Sequence, residues 1–319
     1  MIIKKVAKKV YRLITNKPHQ WCNRILHKLE TRPLSDGEDD FPFSPIFIIG
    51  PPRSGSTLLF QVMVNVFDLN YTTNADAFWY GGLSLRKRFA PIPRSKKKTD
   101  FSSSHGKTRG RFAPNECGEY WYQFFRRKPQ YVSLGEENDG KMKRLRCSLL
   151  RIAEAGGVPM LFKNMNCALR LGPIYQACPG ALYIVTHREL LWNSHSLLQV
   201  RNKVYGDYSK WWSMEPKEID DLEKLPPEKQ VVEQVRAIHR EIDQQRTQAG
   251  VAHFFDVDYE ELCNDPKRVM KSMNDFFEQH GMQILSSLDN VPDSFPLSEK
   301  CRVEVSLFDR LRNYVRAEV

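Results

Sequence analysis

Residues 45–59 read Pro45-Ile-Phe-Ile-Ile-Gly-Pro-Pro-Arg-Ser-Gly-Ser-Thr-Leu-Leu59. The apolar run stops at Gly50 and apolar residues resume after Gly55, a pattern typical of a buried strand, a turn and a helix. The two glycines have the spacing of a phosphate-binding loop, whose backbone N–H groups surround phosphate oxygens, and Thr57 stands where such loops place a hydroxyl. The segment therefore predicts a strand, an anion-binding loop and a helix whose N-terminus faces the anion.

The cation of this loop is in an unusual place. Ser56 occupies the position at which nucleoside-triphosphate-binding loops carry lysine, and the nearest cation is Arg53, before the second glycine. This displacement argues against a nucleoside triphosphate. The loop resembles the 5′-phosphosulfate loop of sulfotransferases in its Pro-Arg-Ser-Gly-Thr-Thr form, with Ser56 replacing the first Thr. The resemblance implies that the donor, 3′-phosphoadenosine-5′-phosphosulfate (PAPS), is bound by Pro52, Arg53, Ser54, Gly55, Ser56, Thr57 and Leu58.

A second motif follows the apolar run 181–186. Arg188 comes directly after this predicted strand, and Ser196 stands eight residues later. In sulfotransferases an Arg and a Ser at this spacing hold the 3′-phosphate of PAPS, and a guanidinium suits phosphate because it donates two parallel hydrogen bonds. The resemblance implies that Arg188 and Ser196 bind the 3′-phosphate, although the chain continues Arg-Glu-Leu where the family has Arg-Asp-Pro. Taken alone, the pair also suits a surface arginine beside a helix cap.

Further short apolar runs have the composition of buried strands. Residues 158–163 and 251–258 join 45–49 and 181–186 in this class, and an amphipathic helix is predicted from about 267 to 279. Alternating strands and helices predict an α/β fold with three layers, in which a central, mostly parallel sheet is flanked by helices. The resemblance to sulfotransferases extends from about residue 45 to residue 280 and implies a P-loop-like domain.

The length and composition favour one domain. The chain has 319 residues, 41% of them hydrophobic, and no Gly/Ser-rich or Pro-rich linker divides it. We therefore expect a single α/β domain over 41–319, preceded by a basic helical extension over 1–40 and interrupted by a basic loop over 85–111. Seven cysteines without a C-x-x-C pair predict reduced thiols rather than a disulfide or zinc framework.

The net charge of +10 is concentrated in two clusters. Residues 1–14 place Lys and Arg beside one apolar helical face, which predicts either peripheral contact with an anionic membrane or packing on the domain with the basic face in water. The cluster over 85–111 either attracts an acidic acceptor or the donor, or is a solvated loop. Few aromatic residues alternate with these charges, which argues against a nucleic-acid partner.

The sequence also bears on location. No apolar stretch approaches the roughly 18 to 20 residues needed to span a bilayer, and the N-terminus lacks the apolar core of a signal peptide. We therefore expect a cytoplasmic protein that has no transmembrane segment or signal peptide and whose membrane contact, if any, is peripheral.

The resemblance implies a mechanism with PAPS as donor, 3′-phosphoadenosine-5′-phosphate (PAP) as product and no metal. Sulfuryl transfer resembles phosphoryl transfer, so the protein mainly positions the reactants and neutralises charge on the leaving phosphate. The guanidinium of Arg53 is suited to neutralise the charge on that leaving oxygen. Lys163 either adds positive charge or is a surface charge at a strand end.

An alcohol acceptor requires a general base, and three residues between the two motifs are candidates. His105 has the right range of pKa and is preferred on that ground. Glu116 comes next, as a carboxylate beside aromatic residues. Asp76 lies roughly two dozen residues past the loop cation, near where some sulfotransferases place a catalytic Glu. Each of the three also has a structural interpretation, as a loop histidine, a helix-capping charge and a turn residue respectively.

Aromatic residues suggest the acceptor class. The clusters at 78–80, 120–122 and 211–212 suit stacking on rings as well as core packing, and they favour a small-molecule or glycan hydroxyl, with carbohydrate or lipid-linked glycan first. Two other functions remain open. One is a P-loop kinase or nucleotidase, which the missing lysine disfavours, and the other is a protein of the same fold that binds a cofactor or glycan without catalysis.

Overall fold

The computed structural model describes residues 18–33, 40–93, 99–103, 106, 108–297 and 299–317. The predicted helix over residues 1–14 and the candidate base His105 lie outside these ranges. Residues 18–30 form helix α1. The strands are β1 Ile46–Ile49, β2 Asn70–Tyr71, β3 Met160–Lys163, β4 Leu182–His187 and β5 Phe254–Asp258. The remaining helices are α2 Ser56–Val66, α3 Asn74–Phe78, α4 Leu83–Phe89, α5 Gly118–Trp121, α6 Asp139–Gly156, α7 Leu171–Ala177, α8 Leu190–Tyr205, α9 Ile219–Leu222, α10 Pro227–Ala249, α11 Tyr259–Asn264, α12 Pro266–Gln279 and α13 Val305–Arg316.

The five strands form one parallel sheet in the order β2-β3-β1-β4-β5. Side chains alternate between its two faces. The rings of Phe47, Phe162 and Tyr183 stack on one face, with centroids 5.3 to 5.7 Å apart. Ile48 and Ile184 lie on the other, where α2 and α12 cover them. Because both faces are covered, the strands are continuously apolar, and the predicted three-layer α/β fold is confirmed.

The predicted strand and helix positions agree with the structure, with small shifts at the ends. The run 251–258 begins with a single 3-10 turn over Val251–His253, so only its second half pairs with β4. The prediction of a loop over the whole of 85–111 is wrong at its start, since these residues continue α4 as far as Phe89. Among the described residues, no helix combines the length and apolarity that crossing a bilayer requires.

Candidate functional site

A cavity of about 570 Å³ opens at the carboxyl edge of the sheet. β3 and β4 flank β1 on opposite sides, and open parallel sheets bind ligands in the crevice at such a switch point. The residues that follow β1, β4 and β5 all reach this crevice. Of the residues predicted from sequence, the cavity is lined by 52–53 and 55–58 of the loop, by Glu116, by Lys163 and by Arg188.

Both loop glycines are required by geometry. Gly50 has φ 141° and Gly55 has φ 91°, values that residues with a Cβ adopt only at a cost. A Cβ on Gly55 would lie 2.2 Å from the Tyr259 ring, and one on Gly50 would lie 2.4 Å from the Thr186 hydroxyl. The glycine spacing therefore serves two purposes, because it allows the backbone to turn and allows neighbouring elements to approach closely.

Side chains of β4 and α8 hold the loop in place. Ser54 Oγ donates to the Pro51 carbonyl at 2.7 Å and lies 2.6 Å from Thr186 Oγ1. Asn193, which is fully buried, donates to the Pro52 carbonyl at 2.8 Å. Between these attachments Arg53 has φ 71°, a backbone conformation that costs about 1–3 kcal/mol in a residue with a side chain. Ser54 is thus a support of the loop and does not line the cavity.

Arg53, Arg188 and Ser196 form one cationic cluster. Arg53 Nε donates to Ser196 Oγ at 2.9 Å, and Arg188 Nη1 donates to the Arg53 carbonyl at 3.3 Å. Burial, followed by the charge of Arg188, lowers the pKa of the Arg53 guanidinium. Within the described residues Arg53 forms no ion pair with a carboxylate. Two cations held this close, with one of them largely buried, favour an anionic ligand.

The N-terminus of α2 faces the same cavity. Gly55 is the residue before the helix, and no side chain of the described residues caps it. The first N–H groups of Ser56, Thr57 and Leu58 therefore have no intrahelical partner, and they carry the positive end of the helix dipole. The Ser56 hydroxyl is not aimed at a ligand in this structure, since it donates to Met165 Sδ at 3.3 Å.

Glu116 and Lys163 form an ion pair on the cavity wall. Lys163 comes from the end of β3, and its side chain is 3% exposed, whereas the Glu116 side chain is 38% exposed. Lys163 Nζ also donates to Thr57 Oγ1 at 3.4 Å, so the pair is joined to the loop. A carboxylate that is open to the cavity is thereby held beside a cation and the predicted anion site.

The other two candidate bases have different positions. His105 is outside the described residues, although Gly106, its neighbour, lines the cavity. Asp76 is 1% exposed and does not line the cavity. It caps α3 by accepting hydrogen bonds from Thr73, and it binds Lys87 Nζ at 2.7 Å. The prediction of Asp76 near the reaction centre is therefore corrected, because its oxygens are occupied within the core.

Tyr259 and Gln130 line the cavity although sequence reasoning did not assign them to the site. Tyr259 follows β5 directly, and its ring lies 4.7 Å from Arg188 Cζ. Burial raises the pKa of this phenol to about 12, so it remains neutral. Tyr122 and Trp212, which belong to the aromatic clusters identified in the sequence, line the same cavity. The end of β5 was a usable signal for Tyr259, since it meets the same sheet edge as β1 and β4.

His195, within the second motif, is not part of the cavity wall. Its Nε2 accepts a hydrogen bond from the Arg302 N–H at 3.0 Å. Burial, then the charges of Arg188 and Arg302, lower the pKa of His195 to about 4, so the ring is neutral at neutral pH. Within the described residues, no group of three or more His, Cys, Asp or Glu side chains is arranged to hold a metal ion.

We expect Gly55→Ala to disrupt this loop and to lower the free energy of unfolding by more than Gly206→Ala does. The new methyl group would overlap the Tyr259 ring, and the positive φ would be strained as well. Gly206→Ala is the matched control, since Gly206 has φ 67° but no atom within 4 Å of the added Cβ. Strain at a positive φ alone costs about 1–3 kcal/mol. Equal loss of stability in the two variants, measured by urea unfolding, would contradict the role assigned to the Tyr259 contact.

A model of a sulfotransferase family matches residues 45–280. Sulfotransferase STF9 from Mycobacterium avium is 14% identical, with a TM-score of 0.49 over 88% of this chain and 69% of that chain. STF1 from Mycobacterium tuberculosis H37Rv is 15% identical, with a TM-score of 0.49 over 77% and 69%. A sulfotransferase from Alicyclobacillus acidocaldarius is 14% identical, with a TM-score of 0.45 over 86% and 92%. No curated protein matches the sequence.

Proposed function

The chain belongs to the sulfotransferase family, and from that premise we propose that it transfers a sulfuryl group from PAPS to the hydroxyl of a small molecule or glycan. The observation that carries this proposal is the convergence of Arg53 and Arg188 on the glycine loop at the uncapped N-terminus of α2. Such a site suits a polyanion, because its cations and N–H groups are already oriented before the ligand arrives.

The residues present fit the donor. The 5′-phosphosulfate would be bound by the N–H groups of 55–58 and by Arg53, and the 3′-phosphate by Arg188. Ser196, which the resemblance gives as a phosphate ligand, accepts a hydrogen bond from Arg53. We therefore assign Ser196 the further role of orienting Arg53. The cavity of about 570 Å³ lies within the roughly 300–1,000 Å³ typical of small-ligand sites.

The transfer itself would be catalysed by positioning and charge. The acceptor oxygen forms a bond to sulfur while the bond from sulfur to the bridging phosphate oxygen breaks, and negative charge grows on the leaving phosphate. Arg53 and Lys163 neutralise that charge. Glu116 accepts the hydroxyl proton, which is supported by its exposure to the cavity and by its contact with Lys163. His105 remains the alternative base.

The lining residues outside the phosphate-binding motifs suit a hydroxylated ring. They include Tyr122 and Trp212, which provide aromatic surfaces, and Gln130, Asn166 and Ser213, which provide hydrogen-bonding groups. Asn166 Nδ2 donates to the Tyr122 hydroxyl at 3.2 Å, which fixes the edge of that ring. A sugar presents an apolar face and several hydroxyl groups, so a carbohydrate acceptor, free or lipid-linked, suits this wall better than a flat apolar phenol.

Calorimetric titration tests the donor site. We expect the protein to bind PAP in preference to ATP, and Arg53→Ala and Arg188→Ala to weaken PAP binding by roughly 10- to 100-fold each, since a hydrogen bond to a charged group contributes about 1.5–3 kcal/mol. Arg268→Ala is the control, because Arg268 lies on α12 outside the cavity and pairs with Glu261 at 3.4 Å.

Each alternative function predicts a different result. Preference for ATP, or PAP binding that does not depend on either arginine, would contradict the proposed donor site and favour a kinase or nucleotidase. Tight, arginine-dependent PAP binding without transfer to any of a panel of sugars, phenols and amines would favour a non-catalytic binding protein.

A further inference from the structure

Helix α1 presents one face to the domain. Asn23 Oδ1 accepts from the Gly81 N–H at 2.8 Å, and Asn23 Nδ2 donates to the Phe78 carbonyl at 3.2 Å. One turn further on, Leu26 packs over Gly82, and Glu30 accepts from the Ser84 N–H at 2.9 Å. These residues recur every three or four positions, so they define the inner face of the helix. The helix is therefore fixed to α3 and α4, and its outer face has a defined direction.

The outer face of α1 carries a row of apolar side chains that is partly exposed to water. Trp21, Ile25 and Leu29 follow one another at four-residue spacing and are 64%, 39% and 38% exposed. Arg24 and Lys28 are exposed between them. A row of large apolar side chains in water is unfavourable by roughly 25 cal/mol per Å² of apolar surface, so a contiguous row indicates a contact surface.

Exposed aromatic side chains also lie on the segments that α1 packs against. Trp21, Phe78, Trp79 and Phe89 are the only Trp and Phe side chains that are exposed in the described part of the chain. The His19 ring of α1 packs at a tilt against Phe78 and Trp79, with ring centroids 4.1 and 5.8 Å apart. Phe89 ends α4, the helix whose Leu85 and Arg88 share a cavity wall with Leu29. We call these four side chains, together with Ile25 and Leu29, the aromatic corner.

The charge of this region identifies the partner. The exposed cations Arg24, Lys28, Arg88 and Arg111 lie on α1, at the end of α4 and in the cavity wall that contains Phe78 and Trp79. The sequence that leads into α1 is basic as well, with six Lys or Arg and no acidic residue in positions 1–17. Tryptophan and phenylalanine flanked by lysine and arginine suit the boundary between lipid headgroups and acyl chains. A soluble acidic protein would match the charge but would not require the aromatic side chains to protrude.

We propose that the aromatic corner binds the surface of an anionic phospholipid bilayer, with Trp21 at the headgroup level and the basic residues over lipid phosphates. Each Lys or Arg near such a surface strengthens the attraction to anionic lipid, and salt weakens it. The inference does not depend on the proposed reaction, because it rests on α1, α3 and α4 alone. It also extends the expectation for residues 1–14 to a surface within the described structure.

Vesicle binding by the full chain tests the proposal. Co-sedimentation with vesicles of phosphatidylcholine and about 30% phosphatidylserine is compared with vesicles of phosphatidylcholine alone. We expect preference for the anionic vesicles, weakened by salt, and a loss of at least roughly tenfold in partitioning for the double variant Trp21→Ser and Ile25→Ser. The double variant Val251→Ser and Leu285→Ser is the control, since both side chains are exposed at other sites on the chain.

Three results would overturn the proposal. The first is equal binding to neutral and anionic vesicles. The second is wild-type binding by the Trp21→Ser and Ile25→Ser variant, because binding would then come from residues 1–17 without the aromatic corner. The third is a dimer in sedimentation velocity that this variant abolishes, since a second copy of the chain would then cover the surface. Circular dichroism of each variant verifies that its fold is retained.

Discussion

Glu116→Gln is expected to lower the rate of sulfuryl transfer by about 10²–10⁴-fold while PAP affinity changes little. The amide is nearly the same size as the carboxylate, and its oxygen still accepts a hydrogen bond from Lys163. The amide is not a base, however, so it cannot accept the proton of the acceptor hydroxyl. Glu116 is the one described candidate base whose carboxylate is open to the cavity. Single-turnover rates with saturating donor measure the chemical step without product release.

Glu119→Gln is the matched control for this experiment. Glu119 lies three residues further on, is half exposed, and pairs with Arg127 at 2.6 Å. We expect its transfer rate to stay within about twofold of the wild type, because surface ion pairs contribute little. If Glu116→Gln retains full activity, the proton acceptor is another group, and His105→Asn should then give the large loss instead. Equal losses in the Glu116 and Glu119 variants would mean that the segment as a whole is disturbed.

The strand, loop and helix over 45–66 could be predicted because the signals are local. An uninterrupted apolar run identifies β1, and the positive φ that each glycine allows marks the turn. The second motif was predictable for the same reason, since Arg188 directly follows an apolar run that forms β4. In both cases the chemistry lies within a few residues of the element that positions it.

The ion pair between Glu116 and Lys163 could be predicted only in part. Glu116 and Lys163 are 47 positions apart, and nothing in either segment identifies the other as its partner. Their contact depends on the placement of β3 beside β1 and on the path of the chain between α4 and α5. The sequence indicates Glu116 as a candidate base and Lys163 as a possible cation of the site. Their pairing arises only when the strands assemble and bring the two residues to the same edge of the sheet.

Asp76 shows that spacing along the chain can mislead when the direction of the side chain is unknown. Its distance from Arg53 along the chain fitted a catalytic carboxylate. The local sequence held the better signal, because Thr73-Asn-Ala-Asp76 has the form of a capping box, in which the side chains of the first and last residues bind each other's backbone N–H. That pattern predicts a carboxylate turned back onto its own helix.

Lys87→Met is expected to reduce the free energy of unfolding by about 3–5 kcal/mol, the largest stability effect that we predict. Lys87 Nζ donates to Asp76 Oδ2 at 2.7 Å and to the Tyr71 carbonyl at 2.6 Å, and both charged side chains are buried. Burial lowers the pKa of the Lys87 ammonium, and the charge of Asp76 opposes that shift. Removal of the ammonium would leave a carboxylate without its main counter-ion. Urea unfolding at neutral pH measures the loss.

A double-mutant cycle separates this structural role from catalysis. Asp76→Asn combined with Lys87→Met should cost less than the sum of the single changes, because residues in one ion pair couple by about 0.5–3 kcal/mol. Arg86→Met is the control, since Arg86 also binds Asp76 at 3.2 Å but is partly exposed, and it should cost less than Lys87→Met. The transfer rate per folded Asp76→Asn molecule should equal that of the wild type. A carboxylate with a purely structural role affects the fraction of folded protein and leaves the chemical step unchanged. A large loss of that rate without loss of stability would therefore restore Asp76 as a candidate base.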